Sequence, residues 1–214
     1  MTDIVTRWWF IRHAPVIGAD GRVYGQDDLD CDCSDHASFA AMARLLPPEP
    51  VWLVTQLRRS RATASALRRA RGHPSVEDAA AFEVEPAFAE QHFGTWQGRR
   101  YADLEAADGE AYRRFWRAPA DHAPPQGESF RDVVRRVARA MQQRGAAHAG
   151  RDIVAVSHGG AIRAALATIL DLEPARALSF VIDPCSLTRF DQIEMADGTR
   201  AWRILAVNQP PSRP

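Results

Sequence analysis

Two histidines and a pair of arginine-bearing turns in this chain sit where apolar runs stop. Thr6-Arg7-Trp8-Trp9-Phe10-Ile11 is β-branched and aromatic, has strand length, and ends at Arg12-His13 with Pro15 behind it. Val51-Trp52-Leu53-Val54 is a second such run, followed by Thr55-Gln56-Leu57-Arg58-Arg59. Ile153-Val154-Ala155-Val156 is a third, and it stops at Ser157-His158-Gly159-Gly160. Taken singly, each polar end does no more than solvate a strand. Together they bring imidazole and guanidinium groups to one place, and that set suits a phosphoryl dianion, not a cation. Guanidinium forks grip phosphate oxygens bidentately. Each charge-assisted hydrogen bond contributes roughly 1.5–3 kcal/mol, so several converging bonds outweigh the ordering of a few long side chains at about 2 kcal/mol apiece.

Positioning such a set takes parallel strands with crossover helices. A helix is expected after Ser34 or Asp35, with Phe39, Met42, Leu45 and Leu46 as its buried stripe until Pro47-Pro48. A second follows Arg58-Arg59 directly, with Ala62, Ala66 and Ala70 on one face. Its amino end favours an anion. A long helix opens at Gly127-Glu128-Ser129-Phe130 and is expected to run out near Gly145; another starts straight after His158. Strands separated by helices pair in parallel, so Arg12-His13, Arg58-Arg59 and His158 fall on one edge of one sheet, where α/β folds bind ligands. Phe82 to Pro86 reads as a short strand, residues 100–117 as one or two short helices forming a lid or rim, and Leu187–Phe190 with Trp202–Val207 as a hairpin turning at Ala196-Asp197-Gly198. The expectation is one α/β domain over 1–214, with its core at about 7–207 and a tail at 208–214.

Composition narrows the function. The chain has 214 residues, 46% of them hydrophobic, and a formal net charge of zero. No residue is lysine, so Schiff-base catalysis by lysine is excluded. The arginines between 58 and 71 have no interleaved aromatics, and no nucleic-acid partner is expected. Cys31, Cys33, Asp35 and His36 lack the second ligand pair of a structural zinc site, so no metal and no cofactor is expected. An odd cysteine count of three, a start without a signal-peptide pattern and no apolar run of membrane-spanning length point to a cytoplasmic protein without a membrane partner. The oligomeric state, monomer or homodimer, is left open.

Chemistry follows from the set. Arginines around His13 disfavour its imidazolium form by like-charge repulsion. A neutral imidazole anchored through one nitrogen is a nucleophile at the other. Arg12, Arg59 and His158 would neutralise the equatorial oxygens of an in-line phosphoryl transfer. Glu90 lies among Phe88, Phe93 and Trp96. Desolvated there, it would protonate the leaving alcohol and then take a proton from the attacking water.

These stretches resemble a known family. Phe10-Ile11-Arg12-His13-Ala14-Pro15 is similar to the Arg-His-Gly motif of the histidine phosphatase superfamily, in the branch related to cofactor-dependent phosphoglycerate mutase. Leu57-Arg58-Arg59-Ser60-Arg61-Ala62-Thr63-Ala64 resembles its second motif, which implies Arg59 rather than Arg58 as the phosphate ligand. Glu90 to Gly98 resembles the motif with the proton donor, and Ser157-His158-Gly159-Gly160 the second histidine motif. The resemblance implies a three-layer α/β/α sandwich with a mostly parallel central sheet. It also implies His13, Glu90 and His158 as catalytic residues, and Arg12, Arg59, Gly25 and Gly159 as substrate-binding ones. Departures are Ala14 for glycine, Thr55-Gln56 where Ser-Pro is common, and Ser60 for alanine.

The mutases carry a longer insertion after the glutamate loop. The short stretch here between Gly98 and Gly127 favours hydrolysis of a small phosphomonoester, metal-independent and of the histidine acid phosphatase type. Tyr24-Gly25-Gln26-Asp27-Asp28 and Pro125 to Ser129 look most like the α-ribazole phosphatase group, making α-ribazole 5′-phosphate one candidate substrate. A mutase and a non-catalytic phosphate-binding module are the competing readings. Glu128 fits a helix cap or a rim position equally.

Overall fold

The computed structural model describes residues 2–73 and 81–211. One six-stranded sheet runs through it: β1 (Ile4–Arg12), β2 (Val51–Val54), β3 (Glu83–Val84), β4 (Asp152–Ser157), β5 (Leu187–Glu194) and β6 (Arg200–Gln209), in the order β3-β2-β4-β1-β5-β6. β1, β2, β3 and β4 are mutually parallel, and β5 and β6 add an antiparallel edge beside β1. β1 takes the middle because both of its faces are apolar. Trp8 and Phe10 enter one core, Trp9 and Ile11 the other.

Helices α1 (His36–Leu45) and α2 (Arg58–Ala70) cover the Trp9 face. α5 (Phe130–Ala147), α6 (Gly159–Ile169) and the short α7 (Pro174–Ala177) cover the Trp8 face. That gives the three layers. A third, smaller cluster joins Val23 and Trp96 to α3 (Tyr101–Ala107) and α4 (Gly109–Arg117) through Leu104 and Phe115. It packs apart from the sheet and roofs the carboxyl edge.

Local sequence explains the boundaries. Asp35 caps α1, its carboxylate accepting from the Ser38 amide at 3.0 Å. Ser129 and Asp132 form a reciprocal capping box at the start of α5, a device that stabilises a helix by about 1 kcal/mol. α5 ends at Ala147, two residues past Gly145 and near where the sequence placed its end. A Cβ at Gly145 would stand 2.5 Å from Gln192 Oε1 of β5. Two other boundaries differ from the sequence reading. β3 is only two residues long, because Glu85 turns to cap the 3-10 turn that Pro86 begins. β6 extends into the expected tail: Asn208 donates to Asp183 Oδ2 at 2.8 Å and accepts from the Asp183 amide at 2.6 Å. Residues 212–214 of that tail lie outside the described residues.

Parallel register does the positioning. Arg12 pairs with Ser157 and Val54 with Val156, so His13, Thr55 and His158 leave the sheet side by side.

Candidate active site

His13 is held from both sides. Its amide donates to Ser157 O at 2.9 Å, continuing the β1–β4 ladder by one bond. Its Nδ1 lies 2.7 Å from Ala14 O. A carbonyl can only accept, so Nδ1 carries the proton and Nε2 keeps its lone pair. The turn itself is pinned by Thr63 of α2, whose Oγ1 accepts from the Ala14 amide at 2.9 Å and donates to Arg59 O at 2.8 Å. Burial pushes the His13 pKa down from 6.5 to about 3, against the Ala14 carbonyl bond, with Arg59 and Arg12 lowering it further. The neutral imidazole was expected from arginine repulsion; desolvation is in fact the larger cause.

His158 packs against it, with ring centroids 5.0 Å apart. Thr55 Oγ1 lies 3.0 Å from His158 Nε2. When that hydroxyl donates, the His158 proton sits on Nδ1, the form that an anion selects. Burial, then the proximity of His13 and Arg59, holds this imidazole well below its ordinary pKa. Thr55 therefore bears on the site through His158, while Ser60 donates to Val156 O at 2.6 Å and accepts from the Thr55 amide at 2.9 Å. Ser60 of α2 thereby stitches that helix to the ends of β2 and β4.

The two arginines after β2 separate completely. Arg58 turns outward and pairs with Asp28 at 3.2 Å and Asp30 at 3.1 Å, tying down the acidic loop. Arg59 turns inward and is fully buried. Its Nη1 donates to Asp27 O at 2.6 Å and its Nη2 to Gly25 O at 2.5 Å, with the Tyr24 ring 5.3 Å away. Gly25 thus lies above the arginine, at φ +43, and a Cβ there would stand 2.7 Å from Gln97 Oε1. Arg12 donates through Nη1 to Ile182 O at 2.6 Å.

After these bonds are made, four polar atoms of the site remain buried and without a partner among the described residues: Arg12 Nε, His13 Nε2, Arg59 Nε and His158 Nδ1. Buried polar atoms are nearly always paired. Of the twelve unpaired buried side-chain atoms among the described residues, these four belong to the residues at the strand ends, three able to donate and one carrying a lone pair.

Glu90 faces them from the loop after β3. Its Oε1 accepts from the Gln91 amide at 2.9 Å and from the Gly160 amide at 3.0 Å. Its Oε2 has only a longer approach to that second amide, 3.3 Å. Gly160 is the glycine this contact requires, since a Cβ there would run into the carboxylate. Gly159, which opens α6, has ordinary space around it, with Arg12 Nε at 3.6 Å from a Cβ position. Phe88 and Trp96 do not flank the carboxyl as the sequence suggested. Phe88 belongs to the main core and Trp96 to the roof cluster; Phe93 alone of the three lines the cavity beside it.

That cavity, about 180 Å³, is bounded by Glu90, Gly25 and Gly160, and also by Tyr24, Tyr101 and Arg163. The last three were not read as site residues. Arg163 was legible in principle, because it stands one helical turn beyond Gly160 on the same face. Glu128 is neither cap nor rim. It pairs with Arg136 at 2.8 Å and accepts from the His92 amide at 2.9 Å. Arg136 in turn donates to the carbonyls of Ala87, Ala89 and Glu90 at 2.6, 2.9 and 3.0 Å. Cys31 and Cys33 have their sulfurs 3.7 Å apart under Arg59 and Thr63.

Comparison with known proteins fits this geometry. The chain is 36% identical over 180 residues to a glucosyl-3-phosphoglycerate phosphatase from Mycolicibacterium vanbaalenii, covering 78% of this chain and 76% of that one. It is 28% identical over 214 residues to 2,3-bisphosphoglycerate-dependent phosphoglycerate mutase 2 of Gloeobacter violaceus, covering 95% of each. Its fold matches the crystal structure of the α-ribazole phosphatase from Shigella flexneri with a TM-score of 0.77 at 22% identity, over 96% of this chain and 98% of that one. The family model of the histidine phosphatase superfamily (branch 1) matches residues 8–209. With its two histidines and Arg12 and Arg59 gathered on one sheet edge, this chain belongs to the histidine phosphatase superfamily, branch 1.

Proposed function

We propose that the chain hydrolyses small phosphomonoesters through a phosphohistidine on His13. The carrying observation is the cluster of unpaired buried atoms, Arg12 Nε, Arg59 Nε and His158 Nδ1 around His13 Nε2. The three donors take equatorial phosphoryl oxygens while the lone pair of Nε2 attacks phosphorus. The N–P bond forms as the ester P–O bond breaks, and the leaving oxygen takes its electron pair and a proton from Glu90. Water then attacks phosphorus, gives a proton back to Glu90, and returns the N–P electron pair to Nε2. The guanidinium and imidazole groups supply the positive charge that this transfer needs, so the reaction is expected to run in chelator.

Turnover of p-nitrophenyl phosphate in EDTA, with acid-labile phosphate trapped on His13 in a rapid quench, tests this directly. Undiminished hydrolysis without that label would overturn it. The Gloeobacter relative favours a second reading, because a protein named a mutase overlaps nearly the whole chain and the short glutamate-to-glycine stretch then loses force as an argument for hydrolysis. Interconversion of 3- and 2-phosphoglycerate faster than phosphate release would select it. On substrate, α-ribazole 5′-phosphate gains nothing beyond a shared fold from the Shigella structure.

A further inference from the structure

Arg163 has no part in the phosphoryl transfer just described, yet it lines the cavity beside Glu90 on the leaving-group side. Its Nε donates to Phe180 O at 2.8 Å, two residues from the carbonyl that holds Arg12. The segment 180–182 therefore fixes two guanidinium groups in a row, one toward the phosphoryl donors and one further out. Gly159 lies between them: a Cβ there would stand 3.6 Å from Arg12 Nε and 3.7 Å from Arg163 Nη1. Among the described residues no carboxylate lies within 4.0 Å of Arg163, and the carboxylate whose charge it feels is that of Glu90, which lines the same cavity.

We propose that Arg163 selects the alcohol half of the substrate by pairing with a carboxylate carried a few bonds from the ester oxygen. The inference rests on the phosphatase reading above and names the substrate class of that same site. A single guanidinium with its terminal nitrogens open matches one planar monoanion, which it can hold through two parallel bonds. The walls beside it, Tyr24, Phe93, Tyr101 and Leu178, suit a short carbon chain between the two anionic ends. Orientation is fixed in advance by the Phe180 carbonyl, so little freedom is lost on binding.

Matched pairs of substrates test it: phosphoserine against phosphoethanolamine, and 3-phosphoglycerate against glycerol 3-phosphate. The wild-type chain should prefer the carboxylate-bearing member of each pair in kcat/KM. Arg163→Gln should reduce that preference about 10- to 100-fold, the weight of a charge-assisted bond, mainly through KM. Arg163→Lys should restore part of it. A wild-type protein indifferent to the carboxylate would overturn the proposal. So would an Arg163→Gln enzyme that loses activity equally on both members, which would make Arg163 a further phosphoryl ligand. Absence of turnover even on p-nitrophenyl phosphate by the wild type would instead strike the phosphatase reading, and this inference with it.

Discussion

The two ends of the proposed catalytic cleft are built in opposite ways. At the proposed phosphoryl end, His13 directly follows β1, Arg59 is the second residue of α2 just after β2, and His158 joins β4 to α6; each is at most 1% exposed. At the leaving-group end, Glu90, Tyr24 and Phe93 come from loops, and Tyr101 from a short helix; these lie under a small roof of their own. The first end is fixed by ladder register and core packing. The second is fixed by side-chain ties such as Gln26 to Glu90 O at 2.8 Å and Gln97 to Asp27 at 2.9 Å. A transferred phosphoryl group is constant whereas alcohols vary, so rigid strand ends suit the first and replaceable loops the second.

The sharpest break between the ends comes from His13→Ala. With the proposed nucleophile gone, kcat should fall by at least about 10⁴-fold on every phosphomonoester, whatever its alcohol. Steady-state rates on an aryl and an alkyl ester check this, and a loss that depends on the alcohol would mean that His13 is not the attacking group.

Glu90→Gln should show the opposite dependence. On the proposed mechanism the carboxyl protonates the departing oxygen, a contribution of about 10²–10⁴-fold where the alcohol is a poor leaving group. An alkyl phosphate should therefore lose that much. p-Nitrophenyl phosphate, whose phenolate leaves unassisted, should lose far less in the transfer step. Equal losses would remove Glu90 from the proton-donor role.

Arg136→Met probes the same end at one remove. It frees the carbonyls of Ala87, Ala89 and Glu90 and strips Glu128 of its ion pair in a largely buried place, where the two side chains are 22% and 19% exposed, leaving it only the His92 amide. A misplaced Glu90 should cost about 10-fold in kcat on alkyl esters, with KM nearly unchanged. Matching losses on p-nitrophenyl phosphate would show general damage to the fold instead.

How much the sequence revealed divides along the same line. Apolar runs ending in Arg12-His13, Thr55 and Ser157-His158 announce strands, and parallel strands must end together, so the place of the phosphoryl end was legible from local pattern, while the choice of Arg59 over Arg58 came from the family resemblance. Glu90 was legible as a motif residue but not in its setting, since nothing local says that Gly160 would supply its amide partner. Glu128 stayed undecided because its partner, Arg136, lies two turns along α5 and binds three carbonyls of a distant loop. Gly145 marked the end of α5 to within two residues, but its approach to Gln192 of β5 was not legible. Long-range contacts of this kind leave no periodic trace.

The ends should also separate under acid. The phosphoryl end buries two neutral imidazoles, and at His13 the pKa is lowered from 6.5 to about 3 by burial. His158 is lowered in the same direction for the same reason. Between those values the unfolded chain binds protons that the folded chain refuses, so stability rises with pH through this window and is lost as pH falls from about 6.5 toward 3. Each histidine contributes a slope of at most about 1.4 kcal/mol per pH unit. Urea unfolding at a series of pH values should show this slope in the wild type. His13→Asn keeps a polar group of related shape but does not titrate, and it should flatten the slope by up to one proton. An unchanged slope in that variant would mean that the acid sensitivity arises at other groups, His158 among them.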